Sequence, residues 1–169
     1  SNKLFENLKI KISRCIINYL KLLEINVEHL DIYYQRSWAT FTENEQKINF
    51  HTHSQSNISF AYYLLKPENS GGIIFRSNDL QNEIAKNIFT NSKIDKSLIN
   101  KPNAYNSDRS VFDLEQDSII IFPSKTAHAT APNKSGSPRI SISGDVTVML
   151  KNSEGFEHLM PNYKNWTEL

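Results

Sequence analysis

Hydrophobic positions in the N-terminal stretch repeat at helical spacing. Leu8, Ile12, Ile16, Leu20 and Leu23 fall three and four apart, with Lys9, Lys11, Arg14 and Lys21 on the other side. That stripe predicts one amphipathic helix over residues 4–25, its apolar side packed against the outside of a sheet. From Ile32 the texture changes to short runs rich in β-branched and aromatic residues, broken by turn formers. The runs Ile32–Thr42, Ile48–His53, Ile58–Lys66, Gly72–Phe75, Ser118–Phe122, Ala127–Ala131 and Arg139–Lys151 are the expected strands. Pro67-Glu68-Asn69-Ser70-Gly71-Gly72 and Pro132-Asn133-Lys134-Ser135-Gly136-Ser137-Pro138 are the strongest turn signals between them. Many short strands with little helix indicate a sandwich or a barrel.

Residues 79–90 predict a short helix, and 91–110 is polar and rich in Asn, Ser and Lys. A long irregular insertion in a compact barrel is usually functional or disordered, and this one is a candidate lid. The length of 169 residues suits a single domain with its own core. The expected division of residues 1–169 is a helical segment at 1–31, a β core at 32–151 carrying the 79–110 insertion, and a tail at 152–169. The tail, with Trp166, is expected to fold back on the barrel. Charge is nearly balanced, 19 Lys+Arg against 18 Asp+Glu, which gives no electrostatic reason to expect nucleic acid or a membrane surface as partner. No run of about 18 apolar residues exists to span a bilayer, and Lys9, Lys11 and Arg14 interrupt the first apolar stretch, unlike a signal peptide. The single cysteine, Cys15, excludes an intrachain disulfide and fits a reducing, cytoplasmic setting.

The sharpest local signal is His51-Thr52-His53. Side chains two apart on a strand point to the same face, so both imidazoles can reach one point. Imidazole suits Fe, Zn, Cu and Ni alike, and the pair does not by itself name a metal. A third imidazole, His128, comes just after the apolar run Ile119-Ile120-Ile121-Phe122-Pro123. Arg139 then opens the strand Arg139-Ile140-Ser141-Ile142-Ser143, with Ser141 on its face. A guanidinium fork is the natural partner of a carboxylate, which it binds through two parallel hydrogen bonds. The bland readings of these residues are surface histidines and a structural arginine paired to an acid. His29 and His158 lie outside the motifs and read as surface histidines.

Taken in order, the HxH at 51–53, Ser59-Phe60-Ala61-Tyr62-Tyr63-Leu64, Ser70-Gly71-Gly72-Ile73-Ile74-Phe75, Phe122-Pro123-Ser124 through His128, and Arg139-Ile140-Ser141-Ile142-Ser143 resemble the 2OG-Fe(II) oxygenase family. The likeness covers residues 36–150 and takes in Ser37-Trp38-Ala39. It implies a mainly β fold, a double-stranded β-helix (jelly roll, cupin-like) with the N-terminal helix on its outside. It also implies an enzyme, an iron- and 2-oxoglutarate-dependent dioxygenase with Fe(II) as metal and 2-oxoglutarate as cosubstrate. Such an enzyme would hydroxylate a small molecule or a side chain and release succinate and CO2; a homodimer is a candidate assembly. Carried over by position, His51, His53 and His128 are the expected iron ligands and catalytic centre. Arg139 is expected to grip the distal carboxylate of 2-oxoglutarate with Ser141 beside it. Tyr63 is expected to point into the barrel near the cosubstrate, and Tyr62 away from it.

Three features depart from the common pattern. Oxygenases of this chemistry usually use two histidines and one carboxylate, whereas the second position here is His53. An alternative therefore gives His53 a supporting place and completes the triad with an acid such as Asp79 or Glu43. Phe60 stands where the family often has Gly and is expected to narrow the cavity beside the metal. Gln116-Asp117 replaces a Gly-led turn, and Asp tolerates the left-handed conformation. Two other classes stay open: a cupin-type three-histidine dioxygenase or isomerase that does not use 2-oxoglutarate, and a binding module that kept the barrel without turnover.

Overall fold

The computed structural model describes residues 3–77, 103, 105–155 and 161–169. Helix α1 spans Lys3–Leu22 and buries Ile12, Ile16 and Leu20. It stops short of the expected residue 25 because Glu24 adopts a left-handed φ of 56° and Ile25 N–H bonds back to Leu20 O at 3.1 Å. That closure caps the last turn and leaves Leu23 exposed.

Seven strands follow among the described residues: β1 Leu30–Thr42, β2 Ile58–Leu65, β3 Ile73–Arg76, β4 Arg109–Phe112, β5 Ile119–Pro123, β6 Ala127–Thr130 and β7 Arg139–Leu150. All pair antiparallel, in a larger sheet of order β1-β7-β2-β5 and a smaller one of order β4-β3-β6. The two sheets are the halves of a double-stranded β-helix, and α1 covers the outer side of the larger one. There Ile58, Phe60 and Val146 join Ile12, Ile16 and Leu20 in one buried cluster. Each such side chain contributes about 1.5–3 kcal/mol by leaving water.

Alternation along the strands then decides which residues face inward. On β7 these are Arg139, Ser141, Ser143 and Asp145; on β2 they are Ser59, Ala61 and Tyr63. β1 changes its facing midway. Tyr34 pairs with Val146 and Arg36 with Asp145, which leaves Gln35 as an extra residue. Residues opposed across strands share a side, so Leu30, Ile32 and Tyr34 face α1 while Arg36, Trp38, Thr40 and Thr42 face inward. A one-residue bulge makes the switch.

The structure departs from the expected elements in two places. Residues 48–53 form an extended segment with one bridge, His51 to His128, instead of a strand. Ile48 N–H bonds the Thr130 hydroxyl (2.9 Å), and His53 N–H reaches past the β5–β6 turn to Ser124 O (3.0 Å). These acceptors interrupt a regular ladder, yet the segment still flanks β6 and extends the smaller sheet. The other departure is β4, absent from the expectation: Arg109-Ser110-Val111-Phe112 ends a polar stretch and is exposed throughout. Asp117 does take the left-handed conformation (φ 63°), and its carboxylate accepts from Tyr62 at 2.7 Å. Tyr163 meets Tyr33 edge-on at 5.2 Å and Asn162 bonds Asp31 at 2.9 Å, so the described tail lies against the start of β1. Most of the 79–110 insertion, with its helix at 79–90 and Asp79, lies outside the described residues, as does His158. No described helix is long and apolar enough to cross a membrane.

Candidate metal centre

Between the sheets lies a cavity of about 140 Å³ that His51, His53, Tyr63, His128, Arg139 and Ser141 all help to line. The structure thus brings every sequence-predicted site residue to one place. Two separate stretches of chain deliver the imidazoles. His51 and His53 come from the extended segment and His128 from β6, and the His51–His128 bridge holds the segment to the strand, its two N–H···O bonds both at 3.0 Å. Ring centroids lie 5.0 Å apart for His51–His53, 4.3 Å for His51–His128 and 5.2 Å for His53–His128.

What each Nδ1 touches fixes what each Nε2 can do. Nδ1 of His51 faces Asn49 O and Nδ1 of His128 faces Thr126 O, both at 2.9 Å. Nδ1 of His53 faces Asp145 Oδ1 at 2.5 Å. Carbonyl and carboxylate oxygens only accept, so the neutral form of each ring carries its proton on Nδ1 and leaves the Nε2 lone pair available. One ring nitrogen from each of the three lies within 4.8 Å of those from the others. Burial, against the Thr126 carbonyl, pushes His128 down to about 4; at neutral pH it has no proton to lose before binding a metal. Phe122 covers the ring edge-on at 4.7 Å, and Phe75 backs Phe122 at 4.9 Å.

The acid that meets the histidines is Asp145, which the motif reading missed. Glu43 is exposed beyond the end of β1 and stands outside the cluster. Asp145 is completely buried. Its Oδ1 accepts from His53 and from Ser59 Oγ (2.8 Å), its Oδ2 from Arg36 Nε (2.6 Å) and Gln55 Nε2 (3.2 Å). Burial works to raise its pKa, but the bonds from His53, Arg36 and Ser59 outweigh it and hold the carboxyl below its ordinary value. Arg36 in turn lies 4.9 Å over the Trp38 ring, which leans on His53 at 5.7 Å. The signal was present in the alternation of β7: the parity that pairs Arg139 with Ser141 continues through Ser143 to Asp145.

Phe60 does not narrow the site as expected. Part of the residue borders the cavity, but its position in β2 turns the ring to the helix side, where it meets Tyr34 edge-on at 6.2 Å. A Cβ placed on Gly144 would fall 2.6 Å from that ring, so glycine there makes the room.

Arg139 is only 2 % exposed. Its Nη1 donates to Ser70 O (2.6 Å) and Gly71 O (3.0 Å), its Nη2 to Thr130 Oγ1 (3.0 Å) and, at the limit, Thr42 Oγ1 (3.5 Å). Gly71 sits at φ 81°, and a Cβ there would come 2.6 Å from Ala131 O, so the turn that offers both carbonyls needs glycine. Every one of these acceptors is neutral, and among the described residues no carboxylate pairs with the guanidinium. Burial accordingly lowers its pKa. Buried charges are normally paired, so the residue is set for an anion. Tyr63, buried beside Arg139, has its pKa raised by burial and stays a neutral phenol.

These residues fit a first-row divalent metal and an acidic cosubstrate. Three imidazoles suit Fe(II), and a buried guanidinium that bonds only neutral acceptors among the described residues is compatible with a carboxylate of 2-oxoglutarate.

Comparison with known proteins agrees. No curated protein matches this sequence. Among solved structures, EvdO2 from Micromonospora carbonacea var. aurantiaca superposes with a TM-score of 0.51 at 14% identity, over 94% of this chain and 66% of that one. A second EvdO2 structure, complexed with 2-oxoglutarate, gives 0.51 and 14% over 93% and 65%. An oxidoreductase of the 2OG-Fe(II) oxygenase family from Burkholderia pseudomallei gives 0.49 and 11% over 69% and 45%. At these identities the likeness concerns the fold, and the chain spans about half the length of several of the structures it matches, 45–51% of each. The family model described as "Putative 2OG-Fe(II) oxygenase" matches residues 36–145. Across that match the chain belongs to the 2OG-Fe(II) oxygenase family, whose cofactors are Fe(II) and 2-oxoglutarate.

Proposed function

We propose that this chain is an Fe(II)- and 2-oxoglutarate-dependent oxygenase that hydroxylates a small molecule or a side chain, with release of succinate and CO2. The observation that carries the reading is a cluster of three imidazoles, one ring nitrogen of each within 4.8 Å of the others, in the same cavity as a buried guanidinium whose hydrogen-bond acceptors among the described residues are all neutral. His51, His53 and His128 would hold the metal through Nε2. Bound iron supplies the oxidative chemistry, and three protein ligands leave room for cosubstrate and O2.

The chain's own residues orient and enclose. Both Nη1 protons of Arg139 are taken by carbonyls, which sets the plane of the fork before any ligand arrives. Among the described residues its Nη2 meets the hydroxyls of Thr42 and Thr130, which can rotate to donate to a carboxylate alongside it. Ser141 lies next on the same face of β7. Phe75 and Phe122 keep water from the His128 side of the metal. The lone Cys15 is consistent with a reducing, cytoplasmic setting.

The test is anaerobic addition of Fe(II) and then 2-oxoglutarate, followed by the metal-to-ligand absorption band and by succinate formation once O2 is admitted. Wild type should develop the band and form succinate. Arg139→Lys should need at least about tenfold more 2-oxoglutarate, since a hydrogen bond to a charged group is worth about 1.5–3 kcal/mol. A wild-type protein with neither band nor succinate, or a lysine variant with unchanged 2-oxoglutarate affinity, would overturn the proposal.

A further inference from the structure

A three-histidine site lacks the negative charge that the usual carboxylate ligand brings, yet this chain buries a carboxylate one hydrogen bond behind the His53 ring. We propose that Asp145 is a positioning residue for the metal centre, holding His53 as the Nδ1–H tautomer and lending its charge to the metal through that ring. The inference rests on the metal-site reading above and goes beyond it, because nothing in that reading requires an acid behind any of the three rings.

The contacts distinguish His53 from its neighbours. His51 and His128 each lean on a neutral main-chain carbonyl two residues back, whereas His53 leans on a carboxylate drawn from β7, 92 residues away in sequence. A negative partner makes an imidazole a stronger donor than a neutral one does, and such partners tune both affinity and redox behaviour at metal sites. Asp145 cannot drift. Ser59 Oγ fixes the oxygen that serves His53, and Ser124 Oγ lies 2.9 Å behind that hydroxyl. Arg36 and Gln55 occupy the other oxygen. Arg36, half exposed on its outer side, therefore competes with His53 for the same carboxylate charge. Removing the acid and removing its outer cation should act on the metal in opposite senses, which a purely architectural role for Asp145 does not produce.

The experiment titrates metal-free protein with Co(II) and measures the Fe(III)/Fe(II) potential of the iron-loaded form, for wild type, Asp145→Asn, Arg36→Gln and His128→Ala. Asp145→Asn should bind Co(II) about 10–100-fold more weakly and raise the potential. Arg36→Gln should bind at least as tightly as wild type and lower the potential. An asparagine variant with wild-type affinity and potential overturns the inference, and so does an Arg36→Gln potential that rises; the second arm decides the matter if Asp145→Asn does not fold. The His128→Ala arm separates the two levels. Wild-type Co(II) affinity there overturns the metal-site reading itself, whereas loss of Co(II) there beside an unaffected Asp145→Asn overturns only the role of Asp145.

Discussion

Acid should destabilise the metal-free protein well before its carboxylates titrate, and His128 is the reason. The ring is 8 % exposed, walled by Phe122, and held to a pKa of about 4 against an ordinary 6.5, chiefly by burial. Above pH 6.5 both folded and unfolded chains carry the neutral ring, and this residue contributes no pH dependence. Between 6.5 and about 4 the unfolded chain takes up a proton that the folded chain refuses, so stability falls as pH falls. The gap, at about 1.36 kcal/mol per pH unit, sets a limit of about 3.4 kcal/mol. About 2.5 kcal/mol of it should be lost between pH 7.5 and 4.5. Asp145 belongs to a separate window. Its pKa is lowered on folding, so its contribution is intact above its ordinary 3.8 and disappears only below that. Urea unfolding of chelator-treated protein at pH 7.5 and 4.5 measures the loss directly. His128→Asn, whose amide can still reach Thr126 O, should be less stable at pH 7.5 but lose about 2.5 kcal/mol less than wild type on acidification. If wild type and variant lose the same amount, His128 is not the residue that resists protonation.

Two predictions concern the scaffold behind the site. Gly144→Ala places a methyl 2.6 Å from the Phe60 ring and 2.9 Å from Ser37 Oγ, and should cost about 1–3 kcal/mol in denaturant unfolding as overpacking does; a neutral substitution would mean that the ring moves freely. Ile16→Ala empties the centre of the helix–sheet contact, where Ile16 is 2 % exposed, and should cost about 2–5 kcal/mol. A loss below about 1 kcal/mol there would show that α1 adds little to the stability of the barrel.

What the sequence made legible follows from which signals are local. The four-residue spacing of Ile12, Ile16 and Leu20 announces α1, and the Pro- and Gly-rich runs announce the turns around β2, β3 and β7. The paired histidines, His128 and Arg139 stand out because each motif is short and continuous. Asp145 did not, because a lone acid in a strand looks like a solvent-facing residue until its parity with Arg139 is followed through. Gln35 was equally hidden: the bulge has no Gly or Pro to mark it, and only pairing with β7 defines it. β4 escaped because four exposed residues at the end of a polar stretch carry no hydrophobic signal. Phe60 lies on the helix side because it alternates with Ser59 and Ala61 along β2, a parity that likeness to a family position does not carry.

The extra residue at Gln35 lets a single strand be read in two frames. Upstream of it, every second side chain serves the helix seam; downstream, the same spacing serves the chamber. Trp38 and Thr40 thereby line the chamber, while Ile32 and Tyr34 pack into the seam. Excising Gln35 would merge the frames and send one set of side chains out into water.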